Sequence, residues 1–434
     1  MSSLISGLQR ARLQAGLARL ARIEPGEKAG LGWSFVYFFC VLAAYYIVRP
    51  VRDEMGVVVG PGGLERIFIY VFLVMLATVP AFGKIVSSLP RRHVVTTVYV
   101  FFILNLIAFR FALIGGPTKR IAETFFVWGS VFNLFTISLF WITMSEHWSS
   151  AQAKRLYGFI AAGGSMGGIA GPLIAQGFVR SIGPDNLLLV SALFLGLAIL
   201  AALKVRETLA GQTADVPESQ TPQSLFKGAL QVWRSPYLFQ IALAIFAANV
   251  VSTFFYLEQA QIVEHAIADR AARVQLFARM DLSVALLTIA LQVLLTSLIM
   301  QRFGIGIAAG LLPAVAIAGF VALTLAPVLA VIVAIVVAER AITFAIAGPG
   351  MRVLWTLVDP DEKVRAQNFI DTVVFRGGDA VSGSMFNAMT QGLGFAAGGV
   401  AVVSIPMALV WLCLCLQLGH RYRERETGAE VGYR

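Results

Sequence analysis

Long apolar segments follow one another along nearly the whole chain, separated by short polar connections. Most of them hold about the twenty residues that an α-helix needs to cross the hydrocarbon core of a bilayer. About twelve such segments occur, at residues 31–48, 64–88, 94–115, 121–143, 157–179, 186–204, 237–260, 280–300, 304–326, 327–347, 366–391 and 394–418. A bilayer can hide this much apolar surface, whereas a soluble core cannot. The pattern predicts an all-α polytopic membrane protein.

One long polar stretch divides the series into two sets of six segments. It contains the run GQTADVPESQTP, whose Pro, Gln, Ser and Thr content is typical of a flexible linker. Two six-helix bundles joined in this way are the plan of the major facilitator transporters. The predicted organisation is an amphipathic segment at 1–30, a bundle at 31–204, a linker at 205–235, a second bundle at 236–418 and a tail at 419–434.

The first 23 residues contain no acidic side chain and place Leu13, Leu17 and Leu20 on one helical face among arginines. Such a segment can lie on an anionic membrane surface, and an organelle transit peptide is the alternative. The surface helix is the preferred interpretation because serine is sparse and the first apolar segment follows directly. The sequence shows no cleavable secretory signal.

The charge distribution predicts an orientation in the membrane. Only 13% of the residues are charged, against roughly 25% in soluble domains. The formal charge is +10, and the basic residues crowd into alternate connections and both termini. By the positive-inside rule both termini are cytoplasmic, so the basicity reflects topology and not nucleic acid. We expect an integral protein of a bacterial inner membrane, with an organelle envelope as the alternative.

Charged side chains also fall in the middle of apolar segments. Glu339 and Arg340 lie near the centre of the tenth segment, and Asp371, Arg376 and Asp379 lie in the eleventh. Four of these charges, Glu339, Arg340, Arg376 and Asp379, fall at mid-depth and left unpaired would cost on the order of 10 to 14 kcal/mol on insertion scales. They therefore form either a fixed ion-pair network or a substrate or proton site lining a polar cavity.

A second charged group closes the first segment. Arg49, Arg52 and Asp53 are three and four residues apart and share a helical face next to Tyr46. Guanidinium groups here could bind a phosphate or carboxylate. The alternative is a cluster that ends the helix at the lipid headgroups.

Two further acidic residues lie near predicted segment ends. Glu258, in the seventh segment, either lines the cavity or finishes its helix. Asp281, beside Arg279 at the start of the eighth segment, is expected at the membrane interface.

The glycine run before Pro172 predicts close helix packing. Gly163, Gly167 and Gly171 repeat every four residues, a spacing that lets two helices approach closely in a membrane. No Gly-Lys-Ser/Thr follows, which excludes a P-loop, so the energy for transport should come from a gradient or from exchange. The three cysteines lie in apolar segments, and no catalytic triad, metal cluster or cofactor fingerprint is present. We therefore expect neither an enzyme nor a cofactor or metal.

Several short motifs resemble the ATP/ADP translocases of plastids and intracellular bacteria, a distant branch of the major facilitator superfamily. The motifs are RPVRD at 49–53, AKRLYG at 153–158, QRFG at 301–304, and VRAQNFID at 364–371 followed by Arg376. The resemblance implies exchange of nucleotides or similar phosphorylated anions, with charged residues of the first segment and of the second half contacting the phosphates.

The leading hypothesis is a twelve-helix secondary transporter that works by alternating access on a small anionic solute, by exchange or with protons. The arginines would neutralise the substrate, and the acids would hold them when the site is empty. The proposed binding residues are Tyr46, Arg49, Arg52, Asp53, Glu258, Arg340 and Arg376, and the coupling residues are Glu339, Asp371 and Asp379. The alternatives are a proton-coupled carrier of a neutral or cationic solute, and a non-transporting scaffold or sensor. A monomer in the bilayer is expected.

Overall fold

The computed structural model describes residues 23–24, 26–209, 225–395 and 397–432. The elements in these ranges are helices joined by short turns. The first half consists of α1 (Lys28–Val59), α2 (Pro61–Ser88), α3 (Arg91–Ala112), α4 (Lys119–His147), α5 (Ser150–Ile182) and α6 (Leu187–Thr208).

The second half is more broken. Turns of π-helix at Gln292–Thr296, Thr343–Ala347, Ile370–Val374 and Ala388–Gly392, and a 3₁₀ turn at Trp355–Leu357, lie between its helices. The helices are α7 (Leu225–Arg234), α8 (Pro236–Ala266), α9 (Arg270–Leu291), α10 (Ser297–Leu325), α11 (Leu329–Ile342), α12 (Gly348–Leu354), α13 (Pro360–Phe369), α14 (Phe375–Asn387) and α15 (Ala397–Gly432).

Ten helical runs among the described residues are long and apolar enough to cross a membrane. One of them, Arg270–Leu325, has 56 residues, about 84 Å if straight, far more than one bilayer. Gly304 breaks it, with φ 79° and ψ 173°, at the boundary predicted between the eighth and ninth segments. The predicted segment 366–391 is not among the ten runs, because its charges make it too polar. The all-α polytopic fold is confirmed.

Polar residues in the connections set where the helices begin. The Ser149 side chain accepts a hydrogen bond from the Gln152 backbone N–H, and the Gln152 side chain accepts one from the Ser149 backbone N–H. Together they form a capping box at the start of α5. Ser235 caps α8 just before Pro236, and Asp269 caps α9. These local signals explain the sharp turns between long apolar helices.

In the first half, α1 packs against α4, α5 and α6. The close approach predicted from the glycines is confirmed between α5 and α1: a methyl group added at Gly163 or Gly167 would collide with a backbone carbonyl oxygen of α1. On another side of α1, Ser191 of α6 donates to the Ala44 carbonyl at 2.9 Å. The first half is therefore built around α1.

The second half is built around α8, which contacts α11, α14 and α15. The linker region predicted at 205–235 is helical where it is described, in the last turn of α6 and in α7. α7 packs against α13, with Gly228 against the Arg365 backbone. Most of the predicted amphipathic segment, residues 1–22 and 25, lies outside the described residues, as do residues 210–224 of the linker.

A charged cavity between the two halves

The halves are joined by polar contacts at the end of the bundle opposite the linker. Arg270 of α9 donates to both carboxylate oxygens of Glu54 on α1, at 3.1 and 3.2 Å, and to Asp185 at 3.1 Å. Nearby, Asn387 of α14 donates to Glu65 of α2. These contacts close this end of the interface between the halves.

A cavity of about 370 Å³ lies immediately inside this closed end. α1, α8 and α11 supply most of its wall, so both halves contribute. Two adjoining cavities, of about 270 and 210 Å³, share Arg340 and Arg52 with it, respectively. The charged and polar residues that line the 370 Å³ cavity are Arg49, Arg52, Asp53, Asn249, Ser252, Tyr256, Gln259, Glu339, Arg340 and Thr343.

Five charged side chains form an alternating chain across the cavity. Arg52 Nη2 lies 2.9 Å from Asp53 Oδ1, and Arg49 Nε lies 3.9 Å from Asp53 Oδ2. Arg49 Nη1 then reaches Asp281 Oδ1 at 3.6 Å, and Arg340 Nη2 reaches the same oxygen at 2.7 Å. The chain passes from the first half to the second between Arg49 and Asp281.

The remaining mid-depth charges are held separately. Ser252 Oγ donates to Glu339 Oε1 at 2.5 Å. Arg376 lies 3.7 Å from Asp379 on the same helix, and Thr253 donates to Asp379 at 3.3 Å. Arg376 and Asp379 line the 210 Å³ cavity, so they border the same interior as the alternating chain.

The arginines present more of their surface to the cavity than the acids do. The side chains of Arg49, Arg52 and Arg340 are 15%, 16% and 18% exposed, whereas those of Asp53 and Asp281 are 7% and 1% exposed. The carboxylates are therefore less accessible than the guanidinium groups with which they pair. The cavity wall thus carries three guanidinium groups, from Arg49, Arg52 and Arg340, against two carboxylates, from Asp53 and Glu339.

Aromatic rings support two of these arginines. The Arg52 guanidinium lies 4.7 Å from the centre of the Phe126 ring, and that of Arg49 lies 5.7 Å from the Tyr46 ring. A ring face attracts a cation and restricts its motion. The groups are therefore oriented before any solute arrives.

The sequence model of the Major Facilitator Superfamily matches residues 31–398. The chain belongs to the Major Facilitator Superfamily. Comparison with curated protein sequences finds no significant match.

Solved structures of other facilitators share this fold. A bacterial homologue of the human lysosomal transporter Spinster, in an inward-facing and unoccupied conformation, has a TM-score of 0.57 at 15% identity, covering 93% of this chain and 99% of its own. The nucleoside transporter NupG gives 0.55 at 15% identity, with coverage of 91% and 98%. A bacterial homologue of the iron transporter ferroportin, in an inward-facing state, gives 0.61 at 13% identity, with coverage of 91% and 98%. At these identities the likeness shows the fold alone.

In this facilitator most of the predicted site residues line the connected cavities. Glu258 and Asp371 do not. Glu258 is fully buried on α8, and neither of its carboxylate oxygens has a hydrogen-bond partner. Asp371 is exposed, in the π-helical turn before α14. The predicted residues that line the cavities are Tyr46, Arg49, Arg52, Asp53, Glu339, Arg340, Arg376 and Asp379.

Asp281 is the central residue that the sequence placed wrongly. The sequence predicts a position at the membrane interface. In the structure Asp281 is 2% exposed and forms ion pairs with an arginine of each half. The cause is the start of α9, which begins at Arg270, ten residues before the predicted segment. Asp281 therefore lies about three turns, or 16 Å, inside the helix. Asp269, a residue type that favours helix N-caps, is the signal in the sequence for this earlier helix start.

Proposed function

We propose that this facilitator is a secondary active transporter of an anionic solute, working by alternating access. The observation that carries the proposal is that arginines from both halves line one cavity and are more exposed there than Asp53 and Asp281, the acids that pair with them. Arg49 and Arg52 come from the first half and Arg340 from the second. A solute held between them contacts both moving parts, as a carrier of this architecture requires.

The chemistry of the cavity favours phosphate or carboxylate groups. A guanidinium offers parallel N–H donors that match two oxygens of such a group, and it keeps its charge when buried. The volume of about 370 Å³ falls within the range of small-molecule sites. A nucleotide or another phosphorylated metabolite is the proposed solute, and the resemblance to ATP/ADP translocases supports that choice.

The proposal includes a direction and a location. The end opposite the linker is closed by Arg270, Glu54 and Asp185, and this closure supports the proposal that the cavity opens toward the linker side. The positive-inside distribution makes the linker side cytoplasmic, with both termini there. We propose a monomer in a bacterial inner membrane, loading or releasing solute on the cytoplasmic side.

Counterflow in proteoliposomes tests this proposal. Vesicles loaded with unlabelled ATP, ADP or inorganic phosphate should accumulate the matching labelled solute for at least one of the three. Arg340→Ala should reduce that accumulation by at least tenfold, because a lost charge-assisted contact of about 1.5 to 3 kcal/mol corresponds to at least such a factor.

Arg66→Ala is the matched control, because Arg66 is 60% exposed and pairs with Glu123 outside the cavity. It should transport like the parent protein. If none of the three anions shows counterflow, or if Arg340→Ala transports normally, the proposed substrate class is wrong.

A proton-coupled carrier of a neutral or cationic solute is the second candidate. The observation that favours it is Glu258, whose two carboxylate oxygens are buried without a hydrogen-bond partner. Burial without a partner favours the neutral, proton-carrying form of a carboxylic acid. Uptake driven by an imposed pH gradient, together with absent anion counterflow, would favour this candidate over the first.

A further inference from the structure

Asp281 lies between an arginine of each half. Its Oδ1 atom is 3.6 Å from Arg49 Nη1 on α1 and 2.7 Å from Arg340 Nη2 on α11. The two guanidinium groups therefore converge on a single oxygen atom. Its other oxygen, Oδ2, is buried and has no hydrogen-bond partner among the residues that the structure describes. Asp281 thus joins the halves through one oxygen and uses only part of its bonding capacity.

Asp281 Oδ1 therefore lies where an oxygen of an anionic solute would bind. A phosphate or carboxylate oxygen placed between two guanidinium groups accepts from both. The space beside the pair is open, since both Asp281 and Arg340 line the 270 Å³ cavity that adjoins the main one.

We propose that Asp281 is an internal substitute for the anionic group of the solute. The inference rests on the proposed function and specifies how the site behaves when empty. With no solute, Asp281 pairs with the two arginines across the interface and offsets part of their charge. An incoming anion displaces Asp281 from one or both of them, so the acid competes with the solute for the same donors.

The consequence concerns the type of transport. A carrier changes conformation readily only if its buried charges are compensated in that state. Because Asp281 compensates Arg49 and Arg340 in the empty carrier, the empty carrier can return across the membrane and net movement of solute is possible. Without the acid, two like charges face each other and the return step needs a bound anion. Asp281→Asn should therefore retain exchange and lose net transport.

The first test uses inorganic phosphate and needs no knowledge of the natural solute. Purified parent protein and Asp281→Asn are heated in detergent with increasing phosphate, at constant ionic strength held with chloride. Removing the internal competitor should lower the phosphate concentration needed for half-maximal stabilisation by roughly tenfold or more, since each charge-assisted contact corresponds to about that factor.

The controls separate this effect from damage to the fold. Asp269→Asn makes the same chemical change on the same helix, and asparagine caps a helix as well as aspartate does. It should respond to phosphate like the parent. Asp281→Glu keeps the carboxylate and should return toward the parent. If Asp281→Asn needs as much phosphate as the parent, or is not stabilised by it, the inference is wrong.

The second test compares two transport modes for any anion that the parent protein exchanges. Asp281→Asn should keep counterflow into loaded vesicles and lose most of the net uptake into empty ones. Equal loss of both modes would overturn the inference. If the parent protein exchanges none of ATP, ADP and phosphate, the proposed substrate class fails, while the phosphate titration still decides the role of Asp281.

Discussion

Glu27 shows how a single carboxylate joins two elements of the first half. It is 2% exposed at the start of α1 and accepts from Arg155 at 2.8 and 3.3 Å and from Gln152 at 3.0 Å on α5, and from the Glu24 backbone at 3.0 Å. Burial by itself raises the pKa of Glu27, but the hydrogen bonds from Glu24, Arg155 and Gln152 outweigh it and lower that pKa.

We expect Glu27→Gln to destabilise the protein by about 1 to 3 kcal/mol at neutral pH, because charged hydrogen bonds are lost in a buried position. A lowered folded-state pKa means that the stabilisation is present above the unfolded-state pKa of a glutamate. It is lost as the pH falls through the folded-state value. The stability difference between parent and variant should therefore shrink in acid. Denaturation in detergent at several pH values measures it.

Glu207→Gln is the control for this prediction, because Glu207 pairs with Lys204 while 66% exposed. Exposed pairs contribute about 0 to 1 kcal/mol, so this variant should differ little from the parent at any pH. A Glu27→Gln deficit that stays the same in acid would contradict the assignment of the stabilisation to the ionised carboxylate.

The sequence predicted which residues carry the central charges, but not how they pair. Mid-membrane position alone identified Glu339, Arg340, Arg376 and Asp379, because unpaired charges are costly there. The pairing depends on helices that are distant in sequence. Arg340 bonds Asp281 on α9, while its neighbour Glu339 accepts from Ser252 on α8. No pattern along one segment could show these partners.

At the scale of helices, the close contact between α1 and α5 depends on glycines, which have no side chain to separate the two backbones. A methyl group at Gly167 would meet the Phe39 carbonyl oxygen and lie 3.0 Å from the Ala43 backbone nitrogen. Backbone atoms cannot move aside without shifting a whole helix. The glycine spacing therefore sets the distance between the helix that carries Arg49 and the one that packs behind it.

We expect Gly167→Ala to lower the stability by about 1 to 3 kcal/mol through overpacking. Gly177→Ala, on the same helix, is the matched control, because an added methyl group there meets nothing within 4 Å. Alanine is a better helix former than glycine by roughly 0.5 to 1 kcal/mol, so the control should be neutral or stabilised. The midpoint of thermal unfolding in detergent measures both. Equal behaviour of the two variants would show that the contact does not limit packing.

Hydropathy predicted the helices well where one face or more meets lipid, and less well where a helix faces the interior. Continuous apolar runs located all six long helices of the first half, although α1 extends eleven residues beyond the predicted end at 48 and α5 begins seven residues before the predicted start at 157. Residues 360–392 instead form α13 and α14 with two π-helical turns, and two of their charged side chains, Arg376 and Asp379, line a cavity. A helix that lines a polar interior needs fewer apolar residues. The polar residues that weaken the hydropathy signal of such a helix therefore also indicate where the site lies.

At the scale of the whole molecule, the two halves meet through α9 with α1 and α5, and through α14 with α2. Polar contacts such as Glu54 with Arg270 and Glu65 with Asn387 lie at the end opposite the linker. Opening that end, as alternating access requires, must break these contacts together.

Cross-linking at this end tests whether the contacts separate during transport. Glu65 and Asn387 touch through their side-chain ends, so Glu65→Cys with Asn387→Cys, in a protein whose three native cysteines are replaced by alanine, should react with a short cleavable bifunctional thiol reagent. The joined protein should lose transport of any anion that the unreacted protein exchanges, and cleavage of the reagent should restore it. Each single cysteine variant, treated identically, should keep its activity. Unimpaired transport by the joined protein would mean that this end does not open, because a covalent link a few ångströms long cannot accompany the separation of two bundles.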